Sequence, residues 1–127
     1  MAIYFQRRNQ FACVMANRFT LYERERLEKT STFILDNLQL ALRLQDLCAM
    51  ALMNRHRLNE GFKKIHGKKV FDFIREQRMQ KAKELLLQTD ESLEAIADAT
   101  GYAYTNNFLR AYKQYFGNTP ANERKEP

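Results

Sequence analysis

Leu47-Cys-Ala-Met-Ala-Leu-Met-Asn-Arg-His-Arg-Leu-Asn-Glu-Gly-Phe-Lys-Lys-Ile-His-Gly67 reads as a short helix, a tight turn and a second helix stopped by glycine. Asn54 is a good first cap for the second helix, because its side-chain oxygen can accept from free backbone N–H groups. Leu58, Phe62 and Ile65 recur at helical spacing and face inward. Arg55, His56, Asn59, Lys63 and Lys64 are left outside, and Gly67 suits the left-handed position that ends such a helix. The turn Ala51-Leu52-Met53 holds no glycine, so ordinary dihedral angles are predicted there. An apolar inner stripe with an Arg/His/Asn outer face is shaped to enter a DNA major groove. The same face would equally suit a helix that only meets solvent.

Fifty residues later the pattern returns. Phe108-Leu-Arg-Ala-Tyr-Lys-Gln-Tyr-Phe-Gly117 matches Leu58-Asn-Glu-Gly-Phe-Lys-Lys-Ile-His-Gly67 in kind. Leu58 answers to Phe108, Gly61 to Ala111, Phe62 to Tyr112, Lys63 to Lys113 and Gly67 to Gly117. Upstream, Leu47-Cys48 answers to Ile96-Ala97 at an offset one shorter, so the second turn is one residue longer. A period kept on the buried positions predicts two helix-turn-helix units.

At 127 residues the chain is one compact domain, or two small ones sharing a helix. Its 21 Lys and Arg against 15 acids give a net charge of +6, which favours a polyanionic partner. Cys13 and Cys48 have neither metal-site nor disulfide-framework spacing, and Cys48 reads as a small packing residue. His56 and His66 add no zinc-like spacing. There is no nucleophile–base constellation and no Gly-rich phosphate loop, so neither an enzyme nor a metal or cofactor is expected. Nothing resembles a signal peptide or a spanning segment, and a reducing cytoplasm away from membranes fits best.

Residues 1–18 read as a stub, or as a helix with Phe5, Phe11, Val14 and Met15 on its apolar side. Thr20-Leu-Tyr-Glu23 is a capping-box signature opening a helix to about Asn37, with Leu27, Thr30, Ile34 and Leu38 inward. Leu42, Leu44 and Leu47 then begin the first helix-turn-helix, inside a first subdomain of residues 19–69. A linker helix follows over 70–88, with Phe71, Ile74, Met79, Ala82, Leu85 and Leu86 as its stripe. Arg75 and Arg78 lie beside that stripe and are expected to find a carboxylate among Asp46, Glu94 and Asp98. About 18 helical residues run roughly 27 Å, near the roughly 34 Å between successive major grooves on one face of DNA. Ser92 caps the second unit, residues 89–127, whose turn is Gly101-Tyr102-Ala103 and whose reading helix spans about Tyr104 to Phe116. Thr119-Pro120 starts a short closing helix. The architecture expected is all-α, about seven helices in two homeodomain-like units joined by the linker.

The strongest stretch is Ala95-Ile-Ala-Asp-Ala-Thr-Gly-Tyr-Ala-Tyr-Thr-Asn-Asn-Phe-Leu-Arg-Ala-Tyr-Lys-Gln-Tyr-Phe-Gly-Asn-Thr-Pro120. With Arg75-Glu-Gln-Arg-Met-Gln-Lys-Ala-Lys-Glu-Leu-Leu86, it resembles the DNA-binding domain of the AraC/XylS family of bacterial transcription regulators, over roughly Phe19 to Arg124. The wording of Leu58-Asn-Glu-Gly-Phe62 and Val70-Phe-Asp-Phe-Ile-Arg-Glu76 looks most like the siderophore-responsive iron-uptake regulators. The resemblance implies a sequence-specific, nucleoid-associated regulator, an activator, that binds double-stranded promoter DNA and contacts RNA polymerase. Carried over by position, it implies base contacts from His56, Asn59 and Glu60 in the first unit. In the second they come from Thr105, Asn106, Asn107 and Arg110. Asn suits adenine, Arg guanine, and Glu can accept from cytosine, although Glu60 could instead pair with Arg57 or Lys64. Arg55, Arg57, Lys63, Lys64 and Lys113 are assigned to phosphate.

Two departures stand out from the family pattern. Leu52 occupies a turn position where glycine is frequent, and Tyr104 and Arg43 stand where capping side chains are usual. Either Thr105 substitutes as the cap or the second unit reads loosely. Larger family members carry an effector domain ahead of this one, and eighteen residues are too few for it. The expectation is a stand-alone regulator or the C-terminal half of a longer one, with no effector binding by this part. A protein-interaction module that barely touches DNA is the competing reading. Related DNA-repair methyltransferases need a reactive-cysteine motif that these residues lack.

Overall fold

Helix formation starts with a reciprocal exchange: Thr20 N–H donates to Glu23 Oε1 at 2.9 Å and Glu23 N–H to Thr20 Oγ1 at 3.0 Å. This box satisfies two free donors and opens α1, Leu21–Asp36. The structure, a computed structural model, describes residues 19–125, and the helix expected within 1–18 lies outside them. After α1 come α2 (Leu44–Ala51), α3 (Arg55–His66), α4 (Val70–Gln88), α5 (Leu93–Ala99), α6 (Thr105–Phe116) and α7 (Pro120–Lys125). The described chain is all-α with two helix-turn-helix units, α2–α3 and α5–α6. No helix among the described residues is long and apolar enough to cross a membrane.

Two compact units divide the described residues, 19–33 with 43–73 and 34–42 with 74–125. The division falls inside α1 and α4. The first turn of α4 belongs to the first unit, where the Phe73 ring meets the Phe62 ring edge-on at 5.4 Å. That packing also corrects the stripe. Phe73 is the buried residue and Phe71 is 50% exposed. With Val70 buried at the helix start, the inward phase at about 100° per residue runs through 73 and 74, leaving 71 off the face.

In the first unit Leu27, Leu47, Ala51, Leu58, Phe62 and Val70 are buried. Gly61 sits where a Cβ would come within 2.5 Å of Leu27 Cδ1, so any side chain there would require Leu27 to shift. Arg26 Nε donates to Ala51 O at 2.9 Å, tying α1 to the end of α2. Ser31 Oγ donates to Leu27 O and lies 2.7 Å from His66 Nε2. Since the hydroxyl has one proton, it accepts from His66, whose ring stacks 4.3 Å from that of Phe73. His66 is thus part of the packing.

The turn after α2 does not have ordinary angles. Leu52 takes φ 56 and ψ 44, the left-handed region. The reason is the helix ending. Leu52 N–H reaches Ala49 O and Met53 N–H reaches Cys48 O at 3.0 Å, a closure that demands a left-handed residue whatever its side chain.

The second unit is built on Met79, Ala82, Leu86, Ile96, Ala97, Phe108 and Tyr112. Ser92 caps α5 as expected, its Oγ accepting from Ala95 N–H at 3.1 Å. Arg78 meets carbonyls, not the expected carboxylates: Nε donates to Leu38 O at 3.1 Å and Nη2 to Leu40 O at 2.8 Å. The loop after α1 ends with backbone acceptors pointing at it, and a guanidinium fork can satisfy two at once. Arg75 lies with its guanidinium 5.9 Å from the Tyr115 ring centre. Arg124 of α7 spans Leu86 O, Thr89 O and Glu91 O, closing the C-terminal end of α4.

Candidate nucleic-acid interface

Helices α3 and α6 have twelve residues each, start fifty residues apart, and end alike. Gly67 closes α3 at φ 82, and Gly117 closes α6 at φ 77. Leu58 with Phe62 and Phe108 with Tyr112 turn inward, all fully buried. At about 100° per residue this places His56, Glu60 and Lys63 along the opposite stripe of α3. Asn106, Arg110 and Lys113 occupy the matching stripe of α6, and all six side chains are exposed. Arg55, Lys64 and Asn107 are exposed beside these stripes, and Thr105 is half-buried. Gln114, the counterpart of Lys64 in the repeat, is exposed too. Its only signal in the sequence is its place in the internal repeat.

The stripes differ in charge at matched positions. On α3, His56 Nε2 lies 3.5 Å from Glu60 Oε2, with His56 84% and Glu60 51% exposed. Glu60 therefore faces the histidine one turn earlier, an attraction that needs the imidazole protonated. On α6 the place of Glu60 is taken by Arg110, whose Nη1 donates to Asn107 Oδ1 at 3.3 Å.

Two residues assigned to DNA by their place in the sequence are engaged within the protein. Arg57 donates from Nη2 to Glu23 Oε1 at 2.9 Å and from Nε to Glu23 Oε2 at 3.2 Å. Its guanidinium also lies 4.2 Å over the Phe19 ring. The hydrogen bond from Arg57, then that from the Thr20 backbone, hold the Glu23 carboxyl below its ordinary value. Asn59 accepts from Val70 N–H at 3.1 Å, satisfying a donor at the start of α4. The physical reason is position: residues 57 and 59 fall on opposite flanks of the outward stripe, where neighbouring elements come within reach. In the second unit Val70 is answered by Pro120, which has no N–H, and Asn59 by Leu109, which has no acceptor.

The ends of the reading helices are unequal. Asn54 Oδ1 accepts from Arg57 N–H at 2.8 Å, the cap expected of it. Tyr104, its counterpart before α6, makes no capping bond and is 70% exposed. Thr105 is already the first helical residue and does not replace it. Arg43 likewise leaves α2 without a side-chain cap. Among the described residues no three His, Cys, Asp or Glu side chains are grouped to hold a metal. Cys48 is a half-buried thiol.

Paired helix-turn-helix units with polar, largely cationic outer faces define a tandem DNA-binding domain, and known proteins narrow this. The helix-turn-helix domain family matches residues 47–126. The regulatory protein PocR of Salmonella typhimurium is 29% identical over 101 residues, which cover 80% of this chain and 33% of PocR. The chain thus spans about a third of the length of that curated relative. An AraC-type regulator structure from Chromobacterium violaceum aligns with a TM-score of 0.70 at 26% identity, covering 80% of this chain and 91% of its own. The DNA-binding domain of the global transcriptional factor AdpA, solved with a target DNA, aligns with a TM-score of 0.73 at 23% identity. That alignment covers 78% of this chain and 89% of the AdpA domain. The chain belongs to the AraC family of helix-turn-helix transcription regulators.

Proposed function

We propose that this chain reads promoter DNA for a transcription activator, with α3 and α6 entering neighbouring major grooves of one duplex. A site of about 20 base pairs follows from two such helices on one duplex face. The observation that carries the reading is the repeated helix, twelve residues long in both units, with its polar stripe at the same positions. Base edges fall to His56, Glu60, Asn106, Asn107, Arg110 and Thr105, and phosphates to Arg55, Lys63, Lys64 and Lys113. Arg57 and Asn59 brace α3 from its two flanks. Binding needs no metal or cofactor, because hydrogen bonds and charge do the reading, and the chain works without catalysis. The regulator acts in the bacterial cytoplasm, touches RNA polymerase, and receives any effector outside this part.

Selection of bound duplexes from a random pool, followed by gel shift, tests the proposal. Enrichment of a motif with two half-sites about one helical turn apart is the expected result. A pool that stays random, with weak and uniform retardation, would instead make the chain a protein-interaction module.

A further inference from the structure

Along the reading helices the fifty-residue repeat keeps the charge at one outward place and reverses it at another. Lys63 and Lys113 are both exposed cations, but Glu60 stands where α6 has Arg110. Each of these two lies two residues after a buried residue, Leu58 or Phe108, and two before another, Phe62 or Tyr112. Both side chains therefore leave their helices at the same angle and at the same distance from the helix start. Glu60 is the one acid within residues 55–66 and 105–116. It pairs with His56 at 3.5 Å, beyond the roughly 2.7–3.2 Å of an N–H···O hydrogen bond. Arg57, on its other side, is bonded to Glu23. The Glu60 carboxylate, half exposed, thus keeps its acceptor capacity for a donor that comes from outside the chain.

An ionised carboxylate offers acceptors alone, and a guanidinium donors alone. In the major groove cytosine presents its N4 amino donor and no acceptor. Guanine presents two acceptors, thymine one acceptor and a methyl group, and adenine an acceptor beside its donor. Over cytosine a carboxylate gains a hydrogen bond; over guanine or thymine it meets only lone pairs. The guanidinium has the opposite preference, for guanine. Neighbouring phosphates repel the carboxylate whatever the sequence. We propose that Glu60 sets the sequence choice of α3 by selecting cytosine at the place in its half-site where Arg110 selects guanine in the other. The two halves of the operator are then unlike at that base. This rests on the DNA-reading proposal and deepens it: Glu60 weakens binding to any duplex lacking that cytosine, and so contributes discrimination where Lys63 contributes grip.

Glu60→Gln and Arg110→Gln in the full chain test this, by selection from a random pool, titration on the wild-type and random duplexes, and thermal melting. Glutamine pairs with adenine through N6 and N7. Each variant should therefore change one base of the selected motif, at matching places in the two half-sites. Glu60→Gln should turn a cytosine into adenine, and Arg110→Gln a guanine into adenine. On the wild-type duplex Glu60→Gln should lose about fivefold to 150-fold, the range of one base contact. On the random duplex it should bind as tightly as wild type or more tightly, because a repelled charge is gone. Both residues are exposed, so melting should stay at the wild-type temperature. A Glu60→Gln chain that selects the wild-type motif, or that loses or gains affinity by one factor on every duplex, overturns the assignment while the DNA-reading proposal stands. So does a wild-type base other than cytosine at the position this variant alters. A wild-type chain that selects no duplex overturns both.

Discussion

Replacing Asn59 by alanine separates two roles for a residue on the reading helix. In the structure its side chain accepts from Val70 N–H, the same service a capping side chain gives to a helix start. Losing such an acceptor costs about 1 kcal/mol, which for a domain of this size lowers the melting temperature by about 3–5 °C. Affinity for selected and random duplexes should then fall by one common factor, because the loss lies in the support of α3 and not at a base. Asn59→Asp keeps the acceptor and adds a negative charge at the start of α4, worth roughly 0.3–1 kcal/mol. That variant should melt at or above wild type and bind every duplex more weakly. Calorimetric melting with parallel gel-shift titrations reads both quantities. The bracing role is refuted if Asn59→Ala melts like wild type yet loses about tenfold or more on the selected duplex alone, the signature of a base contact.

Four further outcomes are expected. Arg110→Ala should cost roughly 1–3 kcal/mol on the selected duplex with little change on random sequence, read by competition titration. Lys63→Ala should reduce the slope of log affinity against log salt by about 0.9 on any sequence. Leu52→Gly should stabilise the domain, because an L-residue in the left-handed region costs about 1–2 kcal/mol and glycine returns about 0.5–1 kcal/mol of that in chain entropy. Leu52→Ala should change little, and equal stabilisation by both variants would shift the cause from backbone to side chain. Glu23 is held below its ordinary 4.5 by Arg57 and the Thr20 N–H, so the unfolded chain takes up this proton at higher pH than the folded one. The stability it contributes is full above 4.5 and is lost as pH falls through the lowered value. Glu23→Gln should flatten the acid side of melting temperature against pH, and a curve parallel to wild type would refute this.

What the sequence made legible was local and periodic. The Thr20–Glu23 box, the Asn54 and Ser92 caps, and the paired stops Gly67 and Gly117 all depend on neighbours within a few residues. The buried repeat, Leu58 with Phe108 and Phe62 with Tyr112, was legible because helical spacing forces it. The errors arose where a residue answers to something distant. Phe71 and Phe73 are both aromatic near a helix start, and only the position of Phe62 decides which of them is buried. Arg78 looked like half of an ion pair because carboxylates are visible in a sequence and carbonyl clusters are not. Leu52 followed the demand of a helix ending over its own preference. A different case is Arg57 and Asn59, whose residue types suit a DNA contact and whose bonds to Glu23 and Val70 are disclosed only by the tertiary arrangement.

The pairing of Asn59 with Val70, and of Leu109 with Pro120, means that the reading helices are not interchangeable cassettes. An engineer who grafted residues 105–116 in place of 55–66 to retarget the domain would set a leucine opposite a peptide N–H with nothing to receive it. Carrying Val70→Pro along with the graft removes the demand. In this scaffold a specificity helix has to travel with its answering residue eleven positions downstream.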